Sequence, residues 1–355
     1  MPADLAERLA ARTLELVDVP SESRDESALA ARVLGLLRDG GVAARDAGDT
    51  CVLAGATARA GRPLVLLAGH LDTVPAQGNR PGRRDADAVH GLGAADMKGS
   101  LAVMLELALR PPAAATVDLG LVLFGREELP VAESALTPLL GREPSLRTAD
   151  LVVMMEPTAN AIQAGCLGNV NATWTFHGRS GHSARPWLAD NAIHRAADGI
   201  GALARVPPAE RELGGLRFTE VASVTRVAGG IAQNVIPDRC TAHVNFRYAP
   251  GRSASDAEAL LHGWCDPFGE LTVDSNAPSA PVATANALVQ RLRAAGGLRV
   301  EAKQAWTPIA EFAAAGVDAV NFGPGDPRFA HTRDERVAVA ALTSSHATLE
   351  RFLCA

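Results

Sequence analysis

Residues 64–75 read LVLLAGHLDTVP, and this stretch decides the fold. It opens on five apolar residues, Leu64 to Ala68, with no polar alternation, as in a strand covered on both faces. It then turns polar, at His70 and Asp72. The same construction recurs twice: LGLVLF at 119–124 leads into Glu127 and Glu128, and LVVMM at 151–155 leads into Glu156. Between the first two lies a helix-like apolar segment, SLAVMLELAL at 100–109. Unalternating strands separated by helices predict an α/β layer with a mostly parallel sheet.

Beyond Asn171 the texture changes. NATWTFHG at 171–178 and CTAHVNFRYAP at 240–250 alternate polar and apolar residues, as strands do when one face meets solvent. A helix-like stretch runs between them, near Asn191 to Ala204. After Pro278 and Pro281 the α/β pattern resumes, with a helix around Ala287 to Ala295, a strand at Ala319 to Phe322 and a last helix from Ala338. The chain therefore divides into a discontinuous outer domain, 1–166 and 276–355, and an inserted α+β domain, 167–275. Two domains are the default expectation for 355 residues.

Composition narrows the function. Hydrophobic residues make up 47% and charged residues 21%, ordinary for a soluble globular protein. A net charge of -6 without a basic stripe argues against a nucleic-acid partner. The opening MPADLAERLAARTLELVDVP reads as an amphipathic helix, not a signal peptide. No stretch approaches the ~20 apolar residues that a membrane span needs. Five widely spaced cysteines without a CxxC pair point neither to a disulfide framework nor to a thiolate zinc site. A cytoplasmic location is expected.

Five polar clusters then stand out: His70 with Asp72, Asp96 in GLGAADMKGS, Glu127 with Glu128, Glu156 in EPT, and His331 after FGPGD. In an open α/β sheet, ligands bind beyond the carboxyl ends of the strands. All five clusters fall there or in loops that could reach it. Singly, each has an ordinary explanation: a surface histidine, a solvated glutamate pair, a turn proline. Their convergence on one edge makes a metal site the better reading. Imidazole and carboxylate are zinc ligands, and paired zinc sites use a bridging carboxylate. Asp96, Glu128 and Glu156 carry three negative charges, and a hydroxide would add a fourth, balancing two divalent cations. His70 and Asp72, two apart on an extended segment, project the same way, so Asp72 can accept the second N–H of His70. Glu127 and Glu128 face apart. With Glu128 a ligand, Glu127 is free to take a proton from the attacking water and return it to the leaving amine.

These segments resemble the co-catalytic zinc aminoacylase/carboxypeptidase family. GHLDTVP, GLGAADMKGS, REE, MMEPT, GRSGHSARPWLADNAIHRA, GGIAQNVIPDRCTAHVNFRYAP and FGPGDPRFAHTRDE match in the family's order. The resemblance implies a zinc-peptidase-like catalytic domain with an inserted lid that dimerises. One zinc would sit on His70, Asp96 and Glu156, and the other on Asp96, Glu128 and His331, with cobalt or manganese as substitutes. It further implies Glu127 as general base, His182 as an oxyanion donor from the partner subunit of a homodimer, and Asn234 and Arg247 as holders of substrate carboxylates. Thr307 would be a further substrate contact.

The segment GRSGHSARPWLADNAIHRA favours the branch, of actinobacterial type, that removes the succinyl group from N-succinyl-L,L-2,6-diaminopimelate, a step toward lysine and peptidoglycan precursors. Two departures bear on that substrate. Pro308 follows Thr307 where the family usually has Asp, and Glu311 stands before Phe312 where it usually has Arg. Leu129 also replaces a commoner small residue after the glutamate pair. An acetylornithine deacetylase, an aminoacylase or a dipeptidase would use the same metal residues. A binding protein that kept the fold and lost catalysis is the remaining alternative.

Overall fold

The computed structural model describes residues 3–355, so Met1 and Pro2 of the opening amphipathic stretch lie outside the described residues. The rest of that stretch, up to Asp18, forms the helix Ala3–Asp18. Among the described residues the chain forms two compact units. One takes in the chain through Ala164 together with Ala283–Glu301 and Glu311–Ala355; the other comprises Gly165–Val282 and Ala302–Ala310. The second unit is wider than the 167–275 read from the sequence, and its return segment carries Thr307.

The first unit is built on an eight-stranded sheet. Its order is Ala44–Gly48, Cys51–Gly55, Asp118–Phe124, Leu64–His70, Leu151–Met154, Ala319–Asn321, Ile162–Cys166, Val300–Lys303. Leu64–His70 runs parallel to both Asp118–Phe124 and Leu151–Met154, and Ala319–Asn321 runs parallel to Leu151–Met154. Antiparallel pairings flank this parallel centre. Every residue of Leu64–His70 is buried, which is why its sequence shows no alternation. The helix Gly99–Leu109 is buried almost all round. It packs on Leu64–His70 and Asp118–Phe124 and touches the helices Ala3–Asp18 and Val339–Cys354.

Parallel pairing has a direct consequence for the site. With His70 in register with Phe124, and Ala68 with Met154, the carboxyl ends of three neighbouring strands finish on one edge. The polar tails that follow them are delivered together.

The second unit holds a five-stranded antiparallel sheet in the order Ala209–Leu213, Leu216–Gly229, Arg239–Tyr248, Gly168–His177, Glu270–Ala277. Here period two follows from one covered face: Val170, Ala172, Trp174 and Phe176 point into a core with Ala242, Val244, Phe246 and Tyr248. Ala257, Leu261 and Cys265 of the helix Ala254–Cys265, and Ala192, Ala196 and Leu203 of Ala192–Leu203, close that core. No helix among the described residues is long and apolar enough to cross a membrane.

Candidate metal centre

His70 ends its strand with its side chain fully buried. Its Nε2 lies 3.0 Å from Asp96 Oδ1 and 3.8 Å from Glu156 Oε1. Glu156 is delivered just beyond the neighbouring strand Leu151–Met154 and is itself buried. Asp96 lies in the loop before Gly99–Leu109, after Gly93 has turned the chain through a positive φ of 79°. A Cβ at Gly93 would come within 2.8 Å of Thr73 Cγ2, so both the conformation and the space require glycine.

The other Asp96 oxygen, Oδ2, faces His331 Nε2 at 3.5 Å, and the same imidazole nitrogen is 2.9 Å from Glu128 Oε1. His331 adopts φ 60°, rare for a residue with a side chain and the kind of local strain that concentrates at functional sites. Two trios result, His70–Asp96–Glu156 and Asp96–Glu128–His331, each with ligand atoms mutually within 4.8 Å, and Asp96 belongs to both. Glu127 joins His70 and Glu128 in a third group of the same tightness.

Asp72 is arranged differently from the sequence expectation. His70 Nδ1 sits 3.0 Å from the Asp72 main-chain oxygen and 3.6 Å from its carboxylate, so the carbonyl is its hydrogen-bond acceptor. The carboxylate instead accepts from the main-chain N–H of Glu127 at 2.9 Å and of Glu128 at 3.0 Å, and from the Ser23 hydroxyl at 2.8 Å. Asp72 thus fixes the turn that presents both glutamates. Ser23, far away in sequence and in no recognisable motif, gave no signal.

The electrostatics of the cluster call for cations. Burial alone would lower the His70 pKa, yet Asp72 and Asp96 carry it well above its ordinary value. Asp96 and Glu128 push His331 up to about 10. Burial works against the Asp96 carboxylate, but His331 and His70 hold it well below the usual carboxylate range. Burial pushes Glu127 up, and the charge of Glu156 adds to it. The carboxylates of Asp96, Glu127, Glu128 and Glu156 crowd around the two histidines. Two imidazoles and three carboxylates, with one carboxylate shared, form a nitrogen–oxygen donor set suited to a pair of zinc, cobalt or manganese ions.

The remaining predicted site residues lie in the second unit. His182 is exposed on the short strand Gly181–His182, opposite Val235, and its Nδ1 accepts from Ala184 N–H at 3.1 Å. Asn234 is exposed, and its main-chain oxygen accepts from Ser183 N–H at 3.0 Å. Arg247 is half-buried in Arg239–Tyr248, with its Nε donating to Asn245 Oδ1 at 2.9 Å. Thr307 is buried, and its carbonyl lies 3.8 Å from the Cys166 thiol.

In the first unit, Glu311 is buried and accepts from the hydroxyls of Ser134 at 3.1 Å and Thr137 at 2.5 Å. Burial raises its pKa. Glu335, inside the FGPGDPRFAHTRDE segment but assigned no role from it, turns out to be buried against the Asp96 loop.

Histidines and carboxylates gathered at the carboxyl edge of a parallel sheet make a candidate metal site, and comparison with known proteins gives the class. The sequence profile of Peptidase family M20/M25/M40 matches residues 66–355, and the chain belongs to that family as a metal-dependent amidohydrolase. It is 35% identical over 350 residues to a succinyl-diaminopimelate desuccinylase of Corynebacterium glutamicum, covering 96% of this chain and 95% of that one. It is 42% identical over 353 residues, 96% of each chain, to a Mycobacterium tuberculosis protein provisionally named as the succinyl-diaminopimelate desuccinylase DapE. Among solved structures, the M20 family metallo-carboxypeptidase Sso-CP2 of Sulfolobus solfataricus shares the fold, with a TM-score of 0.81, 18% identity, and coverage of 100% of this chain and 99% of that one.

Proposed function

We propose that this chain is a di-zinc amidohydrolase that converts N-succinyl-L,L-2,6-diaminopimelate to succinate and L,L-diaminopimelate in the cytoplasm. The observation that carries the hydrolase is the pair of ligand trios sharing Asp96. The likeness to the Corynebacterium glutamicum desuccinylase over nearly the whole of both chains supports the substrate.

His70, Asp96 and Glu156 would hold one ion, and Asp96, Glu128 and His331 the other. Bound there, the ions supply Lewis-acid polarisation of the scissile carbonyl and make water a nucleophile at neutral pH. The chain's own residues do the rest. Asp72 orients the main chain at Glu127 and Glu128. Glu127 takes the proton from the attacking water and delivers it to the departing amine. Arg247, bonded to an asparagine amide through Nε, keeps its terminal N–H groups for a substrate carboxylate, with Asn234 as a second polar contact. Thr307 would contribute a further substrate contact. His182 would donate to the developing oxyanion in the partner subunit of a homodimer. Exposed Trp187, Leu188 and Ile231 on the second unit support a partner surface there.

One observation favours a second reading within the family. Glu311 places a buried carboxylate, held by two hydroxyls, where an arginine was expected. The family resemblance puts that arginine beside the acyl pocket, and a chain without it would suit an acetylated or uncharged acyl group. Turnover measured side by side on N-succinyl-diaminopimelate, N-acetylornithine and a dipeptide panel decides between them. Preference for the succinylated substrate is expected, and preference for acetyl would shift the assignment to a deacetylase.

A further inference from the structure

Glu335 has a side chain that the hydrolytic reading does not use. It is 2% exposed, and its carboxylate is turned onto main-chain N–H groups of a single short loop. Oε2 accepts from Gly93 at 2.9 Å, while Oε1 accepts from Ala95 at 3.1 Å and from Asp96 at 3.0 Å. The main-chain oxygen of Glu335 also accepts from Gly91 N–H at 3.0 Å. Arg336, next in the chain, begins the strand Arg336–Ala338 and pairs with His90 of Ala88–His90. Glu335 and Arg336 therefore hold this loop at His90, Gly91, Gly93, Ala95 and Asp96.

The left-handed turn at Gly93 aims these N–H groups into one concavity, a geometry that binds anions. The occupant is an internal carboxylate, and hydrogen bonds to a charged acceptor are roughly twice as strong as neutral ones. One of the three N–H groups belongs to Asp96, the carboxylate common to both trios. Glu335 also lies four residues beyond His331, so it links the loop of the shared ligand to the segment of a second ligand.

We propose that Glu335 is a positioning residue of the metal centre, locking the main chain of Asp96 so that its two oxygens face the two histidines together. This rests on the reading of the two trios as metal ligands. Removing the carboxylate leaves three buried N–H groups without their acceptor and frees Asp96 to turn. A glutamine keeps one oxygen for Ala95 and Asp96 but sets its amide N–H₂ against Gly93 N–H, so its effect is the smaller.

The test is zinc titration by calorimetry of chelator-stripped full-length wild type, E335Q and E335A, alongside visible spectra of the cobalt-loaded proteins. Loss of an outer partner of a metal ligand weakens metal binding by about 10–100-fold. Affinity is expected to fall in that range for E335A and less for E335Q, with an altered cobalt spectrum in both. If E335A does not fold, E335Q decides. Glu220→Gln, which weakens a buried pairing with Arg252 in the other unit, reports general destabilisation and should bind zinc as wild type does. Folded Glu335 variants with wild-type zinc affinity and spectrum would overturn the proposal, as would equal zinc loss in Glu220→Gln. A wild type that takes up no zinc overturns the metal reading itself, and this inference with it.

Discussion

Glu127 and Glu128 are chain neighbours with both main-chain N–H groups on Asp72, yet their side chains have different company. Glu128 reaches His331 at 2.9 Å, whereas Glu127 groups with His70 and Glu128 and is raised in pKa by burial and by Glu156. Glu127→Gln is therefore expected to keep metal content, measured by atomic absorption, while kcat falls ~10²–10⁴-fold. Glu128→Gln should lose metal instead. Equal metal loss in the two variants would reverse the assignment. Arg247→Ala should raise KM for the succinylated substrate well above any change in kcat, because its proposed contact is with a carboxylate remote from the scissile bond. An unchanged KM would remove Arg247 from the substrate contacts.

At the scale of elements, the strand Leu64–His70 is where sequence and structure speak most directly to each other. Its unbroken apolar run marks burial on both faces, and His70 stands at its end because the strand must finish where polarity begins. The alternation in 171–178 and 240–250 is as legible, since one covered face imposes period two. Spacing alone could not show which atom of Asp72 meets His70. Side chains two apart share a face, but the carbonyl between strand and turn lies nearer. Glu335 was hidden for a similar reason: a carboxylate bonded to main-chain N–H groups leaves no signature in the residues it touches. Leu66→Ala, in the buried centre of this strand, should cost about 2–5 kcal/mol. Chemical denaturation measures it as a lowered midpoint at unchanged slope, and a neutral result would mean that the strand is not the core it is taken to be.

For the whole molecule, the proposed ligands stand at strand ends or in the loops beyond them, in a unit with an apolar core of its own. Chelation is expected to abolish turnover and leave the far-ultraviolet circular dichroism and the cooperative unfolding transition in place. Collapse of the fold on chelation would make the ions structural. The proposed dimer has its own test. His182→Ala and Glu127→Gln chains should each be nearly inactive, since one oxyanion donor is worth about 3–4 kcal/mol. If His182 acts on the partner subunit, random re-pairing yields mixed dimers with one doubly damaged site and one intact site. Roughly a quarter of wild-type activity should then return in a two-fold dimer. If His182 serves its own chain, mixing restores nothing.

The parallel register of Leu64–His70 with its two neighbours reaches beyond catalysis, into how freely this sequence can change over generations. The ladder that brings three ligand-bearing ends to one edge is made of main-chain hydrogen bonds, which any residue but proline can complete. Exchanges among Val, Ile and Leu at 64–67 usually cost less than ~1.5 kcal/mol and leave that ladder intact. The interior of the sheet thus tolerates aliphatic exchanges that keep its volume, while a single-residue slip in register would misplace His70 against both neighbouring ends. Descendants of this chain should exchange one aliphatic residue for another inside the hidden strand and keep the polar residues at the rim where the strands stop.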